Sequence, residues 1–167
     1  VIIALICGTL SLTAWSISSP VGAGPDDDFH LASIWCGKGT NDSLCKPGRE
    51  AQERYLPTAF RQSNCFALNP EISASCQGKD FGIDSNSFGY TKRGNFTGDY
   101  PPLFYFVMSQ FASVNLDASV LMMRIFNSIL LILLTLLTLL VVGRNLRVPL
   151  LIGIISTCVP LGIFIVT

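Results

Sequence analysis

The chain has 167 residues, of which 50% are hydrophobic and 13% are charged, and its formal net charge is zero. Soluble domains carry charge on about 25% of their residues, so this composition excludes an ordinary soluble domain and predicts a protein of the lipid bilayer. The sequence has no basic stripe, which excludes nucleic acid as the expected partner. It begins and ends within apolar runs, and we therefore expect it to be a fragment of a longer protein.

The first element is an apolar run without charges, predicted as a transmembrane helix over residues 1–18. Trp15 lies near its end, where aromatic residues are enriched at the edge of a membrane. A spanning helix needs about 20 apolar residues, so the run is slightly short. Small residues at Val21 to Gly24 resemble a signal-peptide cleavage site, which is the competing interpretation. We favour the transmembrane helix.

An acidic turn follows, and two interpretations of it compete. Pro25 is suited to the first turn of a helix, and three carboxylates come directly after it. They could offset the helix dipole, an effect of roughly 0.3–1 kcal/mol per charge. Alternatively they form an active site, because helical spacing lets Asp26 and Asp27 approach His30. On this spacing Asp28 is expected to point elsewhere.

Residues 19–118 form a long loop with four cysteines, spaced by eight residues in the first pair and ten in the second. These spacings do not match the short CxxC pairs of zinc sites, so disulfides are expected rather than metal binding. Of the three connectivities, we favour Cys36–Cys45 with Cys65–Cys76, because neighbours close the shortest loops. Free thiols in a reducing compartment are the alternative. Disulfides persist outside the cytoplasm, and the loop is therefore predicted to be extracytoplasmic.

Within this loop, Glu50 to Arg61 could form a short helix interrupted by Pro57, and residues 66–100 are expected to be irregular with at most short strands. The Tyr100 to Leu103 segment, Tyr-Pro-Pro-Leu, precedes a run that is apolar but too short to cross a bilayer. A helix lying at the membrane interface is the first interpretation of this run. A buried helix of the loop domain is the second.

Two more transmembrane helices are predicted, over residues 119–142 and 148–167, with a connector at residues 143–147. Two arginines in the connector indicate that it is cytoplasmic, which again puts the loop outside. Arg124 is the one charge in these apolar segments: it could reach the interface or face inward and hold an anion. The predicted fold class is a mainly α, multi-pass plasma-membrane protein with three transmembrane helices and interfacial helices on a disulfide-containing loop.

The motifs resemble a known family. Pro25-Asp26-Asp27 with His30 resembles the Pro-Asp-Glu-x-x-His element of the bacterial predicted membrane proteins called domain of unknown function 2142. The acidic turn with paired cysteines is similar to actinobacterial members. The order of features, with the Tyr-Pro-Pro-Leu element, resembles the N-terminal part of membrane-embedded C-type glycosyltransferases. The second acidic residue is Asp27 where the wider pattern more often has Glu, which shortens its reach by one methylene.

The resemblance implies transfer of a sugar from a polyprenyl-phosphate donor to a glycan acceptor of the cell envelope. Asp26 or Asp27 would be the catalytic base or would hold a divalent metal ion, with His30 orienting the carboxylate. The departing phosphate needs positive charge, and the candidates are that metal ion and the side chains of Lys92, Arg93 and Arg124. Tyr100 is a further substrate-binding candidate. The alternative is a non-enzymatic membrane protein whose loop binds a partner or a cell-wall polymer.

Overall fold

The computed structural model describes residues 2–67, 69–78, 81–82 and 87–157. The chain forms two compact units, one made of residues 1–19 with 121–167 and the other of residues 20–120. We call them the helical unit and the loop unit. In chain order the elements are α1 (Ile2–Ser18), α2 (Asp27–Trp35), β1 (Lys46–Pro47), β2 (Arg54–Pro57), α3 (Ala59–Gln62), β3 (Phe88–Thr91), α4 (Pro102–Met108), α5 (Leu116–Val141) and α6 (Arg147–Thr157), with 3-10 turns at Ala74–Gln77, Ser109–Phe111 and Arg144–Leu146.

Among the described residues, α5 alone is long and apolar enough to cross a membrane, with 26 residues and a mean hydropathy of 2.3 over its best window. Helix α1 is apolar but has 17 residues, which is short of the length required. Helix α6 is described for eleven residues, and residues 158–167 of the third predicted span lie outside the described part of the chain. The structure therefore supports one of the three expected transmembrane helices, by length and composition.

Polar side chains in the helical unit bond to the backbone of the helices. The hydroxyls of Thr9, Thr13 and Ser16 each donate to the carbonyl four residues earlier in α1. Arg124, on α5, is buried and donates to the carbonyl oxygens of Ser16 and Ser19 at the end of α1. A cation at a helix C-terminus compensates both the dipole and carbonyls that lack a partner within the helix.

The loop unit contains a small antiparallel sheet that the predicted fold class lacked. Its order is β1-β2-β3, with Tyr55 opposite Tyr90. The helix expected over Glu50 to Arg61 is wrong: the structure has a strand at Arg54–Pro57, followed by the four residues of α3. The Tyr55 ring stacks on Phe88 and contacts Tyr90 across the strand pair, and such aromatic pairs stabilise sheets. Tertiary pairing therefore overrode the local helical pattern.

The core of the loop unit is built around α2. Trp35 is 2% exposed, its ring meets Phe60 edge-to-face, and its indole N–H donates to the Ser113 carbonyl at 3.1 Å. Gly37 lies against α4, where a Cβ atom would come within 2.3 Å of the Tyr105 carbonyl oxygen. Helix α2 is therefore held by packing on both α3 and α4.

Two disulfides, Cys36–Cys45 and Cys65–Cys76, confirm the expected pairing. The second one fastens the segment that leads into α2. Gln77, next to Cys76, donates through its amide to the carbonyls of Val21 and Ser63, at 2.7 and 2.8 Å. Gly22 has φ +84°, and a Cβ atom there would come within 2.0 Å of the Ser63 carbonyl oxygen. This close approach positions the acidic turn that follows.

Candidate functional site

The acidic turn opens α2 in an unusual backbone conformation. Asp26 has φ 58° and ψ 21°, and among the described residues it is the one non-glycine residue with positive φ. Its carbonyl accepts the N–H groups of Phe29 and His30. The left-handed conformation costs most residues roughly 1–2 kcal/mol, although Asp and Asn adopt it more readily than others. Asp27, by contrast, turns back and accepts the Gly24 N–H at 3.0 Å.

Arg93 joins two of the three carboxylates. Its Nε donates to Asp28 at 2.5 Å, and its Nη2 donates to Asp26 at 2.8 Å. The Asp26 and Arg93 side chains are more than half exposed, whereas Asp28 is 17% exposed. The hydrogen bond to Asp28 is the largest cause that raises the pKa of Arg93, with burial opposing it. Arg93 therefore stays charged and holds the turn together.

The expectation that Asp28 points elsewhere is wrong. Helical spacing would separate it from Asp26, but Asp26 precedes the helix with a left-handed backbone, and both carboxylates accept from Arg93. The pair that meets at one cation is consequently Asp26 and Asp28. Residue spacing predicts shared faces only where every residue concerned is helical.

His30 contacts an aromatic group. Its Nδ1 lies 3.0 Å from the Tyr105 hydroxyl, and the two rings stack. The ring of Tyr100 meets His30 edge-on at 5.8 Å between centroids. Burial raises the pKa of Tyr105, Tyr100 raises it further, and a hydrogen bond with Ser33 lowers it. Tyr105 is thus a neutral hydroxyl facing the imidazole, and the role of His30 in orienting a carboxylate stays a prediction.

Asn95 fastens the loop that carries Arg93 and Tyr100. Its backbone N–H donates to Ser33 on α2 at 2.7 Å. Its side-chain amide donates to the Tyr100 carbonyl and accepts the Tyr100 N–H, at 3.0 and 3.1 Å. These bonds set the Tyr100 ring beside His30. Asn95 was not among the site residues predicted from the sequence.

The comparisons with known proteins decide the family. The model for the family described as "Predicted membrane protein (DUF2142)" matches residues 9–167, which is almost the whole chain. The chain belongs to the DUF2142 family. Neither the curated proteins nor the solved structures give a match to it. The family-level resemblance is therefore confirmed, while the glycosyltransferase resemblance and the actinobacterial origin stay predictions.

The remaining predicted site residues of this DUF2142 protein lie elsewhere. Lys92 pairs with Glu50 at 2.7 Å, and this hydrogen bond, with the charge of Glu50, raises the pKa of Lys92. Arg124 belongs to the helical unit. The structure thus pairs Asp26 with Arg93 and sets Tyr100 beside His30, and it adds Asp28 to the first pair and Tyr105 to the second. The ring of Phe29 lies between the two groups, in contact with Arg93, His30 and Tyr100. The pair Gly94-Asn95 is typical of a turn and was the sequence signal at this position.

The predicted metal ion has limited support in the geometry. Across the described residues, no three His, Cys, Asp or Glu side chains converge as metal ligands would. Asp26 is paired with Arg93, and Asp27 is bonded to the Gly24 N–H. A divalent ion at Asp26 and Asp27 stays a prediction.

Proposed function

We propose that this membrane protein transfers a sugar from a polyprenyl-phosphate donor to a glycan acceptor of the cell envelope. The observation that carries the proposal is the exposed pair of Asp26 and Arg93 at the start of α2, 2.8 Å apart. A carboxylate that can take a proton thereby lies beside a cation that can take a phosphate. Transfer of a glycosyl group from a phosphate needs both functions.

The reaction follows from these two groups. The donor phosphate binds Arg93 and competes with Asp26 for it, which leaves the carboxylate available to the acceptor. An acceptor hydroxyl then loses its proton to Asp26 while its oxygen attacks the anomeric carbon. The bond between that carbon and the phosphate oxygen breaks, and its electron pair leaves with the polyprenyl phosphate. Arg93 stabilises the additional negative charge, and Asp28 holds Arg93 in place.

The aromatic groups beside the acidic turn are assigned to substrate positioning. Tyr100 is half exposed, with its ring against His30, and can contact the donor sugar. His30 is oriented by Tyr105 and can hydrogen-bond a sugar hydroxyl through its second ring nitrogen. Lys92 is assigned no phosphate contact because Glu50 already pairs with it.

The location of this chemistry is part of the proposal. Two disulfides in the loop unit support an oxidising compartment, and therefore the outer side of a plasma membrane that the protein crosses several times. The segment containing the acidic turn directly follows the apolar helix α1, which supports a site near the depth at which a lipid-linked donor presents its phosphate.

The test uses the protein in membranes and measures the transfer of sugar from labelled polyprenyl-phosphate donors. Asp26→Asn should lower the rate by about 100-fold or more, the range for loss of a general base. Asn also tolerates the left-handed backbone, so the variant should fold. Asp27→Asn is the matched control and should retain most activity, because the Asn amide oxygen can still accept the Gly24 N–H.

Two results would contradict the proposal. If the wild type transfers sugar and Asp26→Asn transfers it equally well, the acidic turn serves only to start α2. If the wild type transfers nothing while a known glycosyltransferase in the same membranes does, the non-enzymatic function is the better one. That alternative is a loop unit that binds a partner or a cell-wall polymer.

A further inference from the structure

The loop unit contains a polar cleft with a volume of about 490 Å³, lined in part by the loop that carries Arg93. This volume falls in the range of small-molecule sites, roughly 300–1,000 Å³. The lining residues offer an amide, an ammonium, a carboxylate, a hydroxyl and one aromatic ring: Gln52, Lys92, Gly94, Phe96, Thr97 and Asp99. Because polar groups predominate, a lipid chain is a poor fit and a ligand with many hydroxyl groups is a good one.

The charged groups in this cleft already have hydrogen-bond partners. The lining residues contribute one cation and one anion, Lys92 and Asp99. Lys92 donates to Glu50 at 2.7 Å, and Asp99 accepts the Thr97 hydroxyl at 2.7 Å. An anionic ligand would meet two carboxylates beside one ammonium, which opposes binding of a phosphate. Neutral hydroxyl groups can instead donate to the carboxylates and accept from the amide and the ammonium.

The aromatic ring in the cleft is fixed in position. The Arg54 guanidinium lies 5.1 Å from the centre of the Phe96 ring, and Arg54 also donates to the Phe96 carbonyl. A Cβ atom on Gly94 would come within 2.4 Å of the same ring, so the ring packs closely against the backbone of Gly94. Phe96 therefore presents an ordered apolar surface among the polar groups, as the C–H faces of a sugar require.

We propose that this cleft binds a neutral glycan, which is the acceptor. The loop that lines it also serves the acidic turn: Lys92 and Gly94 border the cleft, and Arg93 between them pairs with Asp26 and Asp28. The cleft and the acidic turn therefore border the same loop. Naming the glycan as the acceptor rests on the proposed function, but the glycan can bind in the cleft without any sugar transfer.

The experiment measures binding by saturation-transfer NMR, using the full chain in lipid nanodiscs. The probes are neutral oligosaccharides of glucose, galactose or mannose at millimolar concentration, compared with glucose 6-phosphate. We expect at least one neutral oligosaccharide to bind. Gln52→Ala and Asp99→Asn should each raise the Kd of that oligosaccharide about tenfold. The first variant removes a hydrogen bond to the ligand, and the second replaces a charged acceptor by a neutral one. Glu71→Gln, an exposed carboxylate outside the cleft, is the matched control and should leave Kd unchanged.

The outcomes separate this inference from the proposed function. If the wild type binds a glycan, the cleft variants lose this binding and the wild type transfers no sugar, the glycan site is upheld and the transferase function is overturned. Transfer that depends on Asp26, with no neutral glycan bound, overturns the cleft. Tighter binding of glucose 6-phosphate than of every neutral probe also overturns it, as does a Kd unchanged in both cleft variants.

Discussion

The two units satisfy their polar groups in opposite ways. In the helical unit, hydroxyls bond back to their own helix, and the outer surfaces of the helices expose apolar side chains such as Leu137, Leu140 and Val141. In the loop unit, polar groups from distant parts of the chain bond to one another, as in Gln77 with Val21 and Ser63. The first pattern suits lipid, where no water can bond an exposed group, and the second suits water.

This difference predicts where each unit is vulnerable. The loop unit depends on a small core, two disulfides and long-range hydrogen bonds, so single changes there should lower its free energy of unfolding. The helical unit depends on hydrogen bonds within each helix, so few single polar contacts should matter to it. The exception is Arg124, which joins two helices.

The largest effect is expected at the core of the loop unit. Trp35→Ala should lower the free energy of unfolding of this unit by about 3–5 kcal/mol, since it leaves a cavity and an unbonded Ser113 carbonyl. Denaturant unfolding followed by near-UV circular dichroism measures the loss. Trp35→Phe is the control and should cost clearly less because it keeps most of the volume. Equal losses in the two variants would show that packing around Phe60 is not decisive.

The second effect concerns the disulfide between Cys65 and Cys76. Replacing both cysteines by serine should lower the free energy of unfolding by about 2–3 kcal/mol, through the gain in entropy of the unfolded chain. It should also release Gln77 and loosen the segment leading into α2. Cys7→Ser, a change at the free thiol of α1, is the control and should leave unfolding unchanged. If Cys7→Ser were equally damaging, the contrast between the units would fail.

The third effect tests the helical unit. Arg124→Gln should lower the free energy of unfolding of the helical unit by about 1–3 kcal/mol, because carbonyls at the end of α1 lose a charged donor. Arg124→Lys keeps the charge and should lose less. The measurement is far-UV circular dichroism of the protein in detergent during heating. An unchanged melting profile in Arg124→Gln would mean that the end of α1 finds other donors.

The smallest effect is expected at the loop that carries Tyr100. Asn95→Ala should lower the free energy of unfolding of the loop unit by about 1 kcal/mol, from the loss of two hydrogen bonds to Tyr100. The rate of sugar transfer should fall by more than the loss of folded protein explains, because the Tyr100 ring loses its position beside His30. Glu71→Gln, a change at an exposed carboxylate outside the cleft, is the control and should leave both stability and transfer unchanged. Normal sugar transfer by Asn95→Ala would show that Tyr100 does not need the two hydrogen bonds from Asn95.

Much of the secondary structure and both disulfides could be predicted from the sequence. The apolar run of α5 and the Pro-Pro start of α4 are local features, which depend only on residues that are close in the sequence. The cysteine pairing was predictable because short loops close at the least entropic cost. The strand at Arg54–Pro57 was missed, since its partner, Phe88–Thr91, lies some thirty residues later in the chain.

The candidate site was predictable only in part. The resemblance implied Arg93 as one of several cations for the phosphate, and helical spacing predicted Asp26 and Asp27 near His30. Spacing misplaced Asp28 because one residue, Asp26, has a left-handed backbone. It could not identify Tyr105, since nothing in the sequence links position 105 to position 30.

The sequence by itself determined that this chain belongs in a membrane, where its apolar helix lies and which cysteines pair, because hydropathy and loop entropy act over short stretches. The tertiary structure alone decided which carboxylates share Arg93, what faces His30 and where the polar cleft forms. Those contacts join residues some 42 to 75 positions apart. Such pairings depend on how α2, α4 and the sheet pack together, which neither composition nor periodicity records.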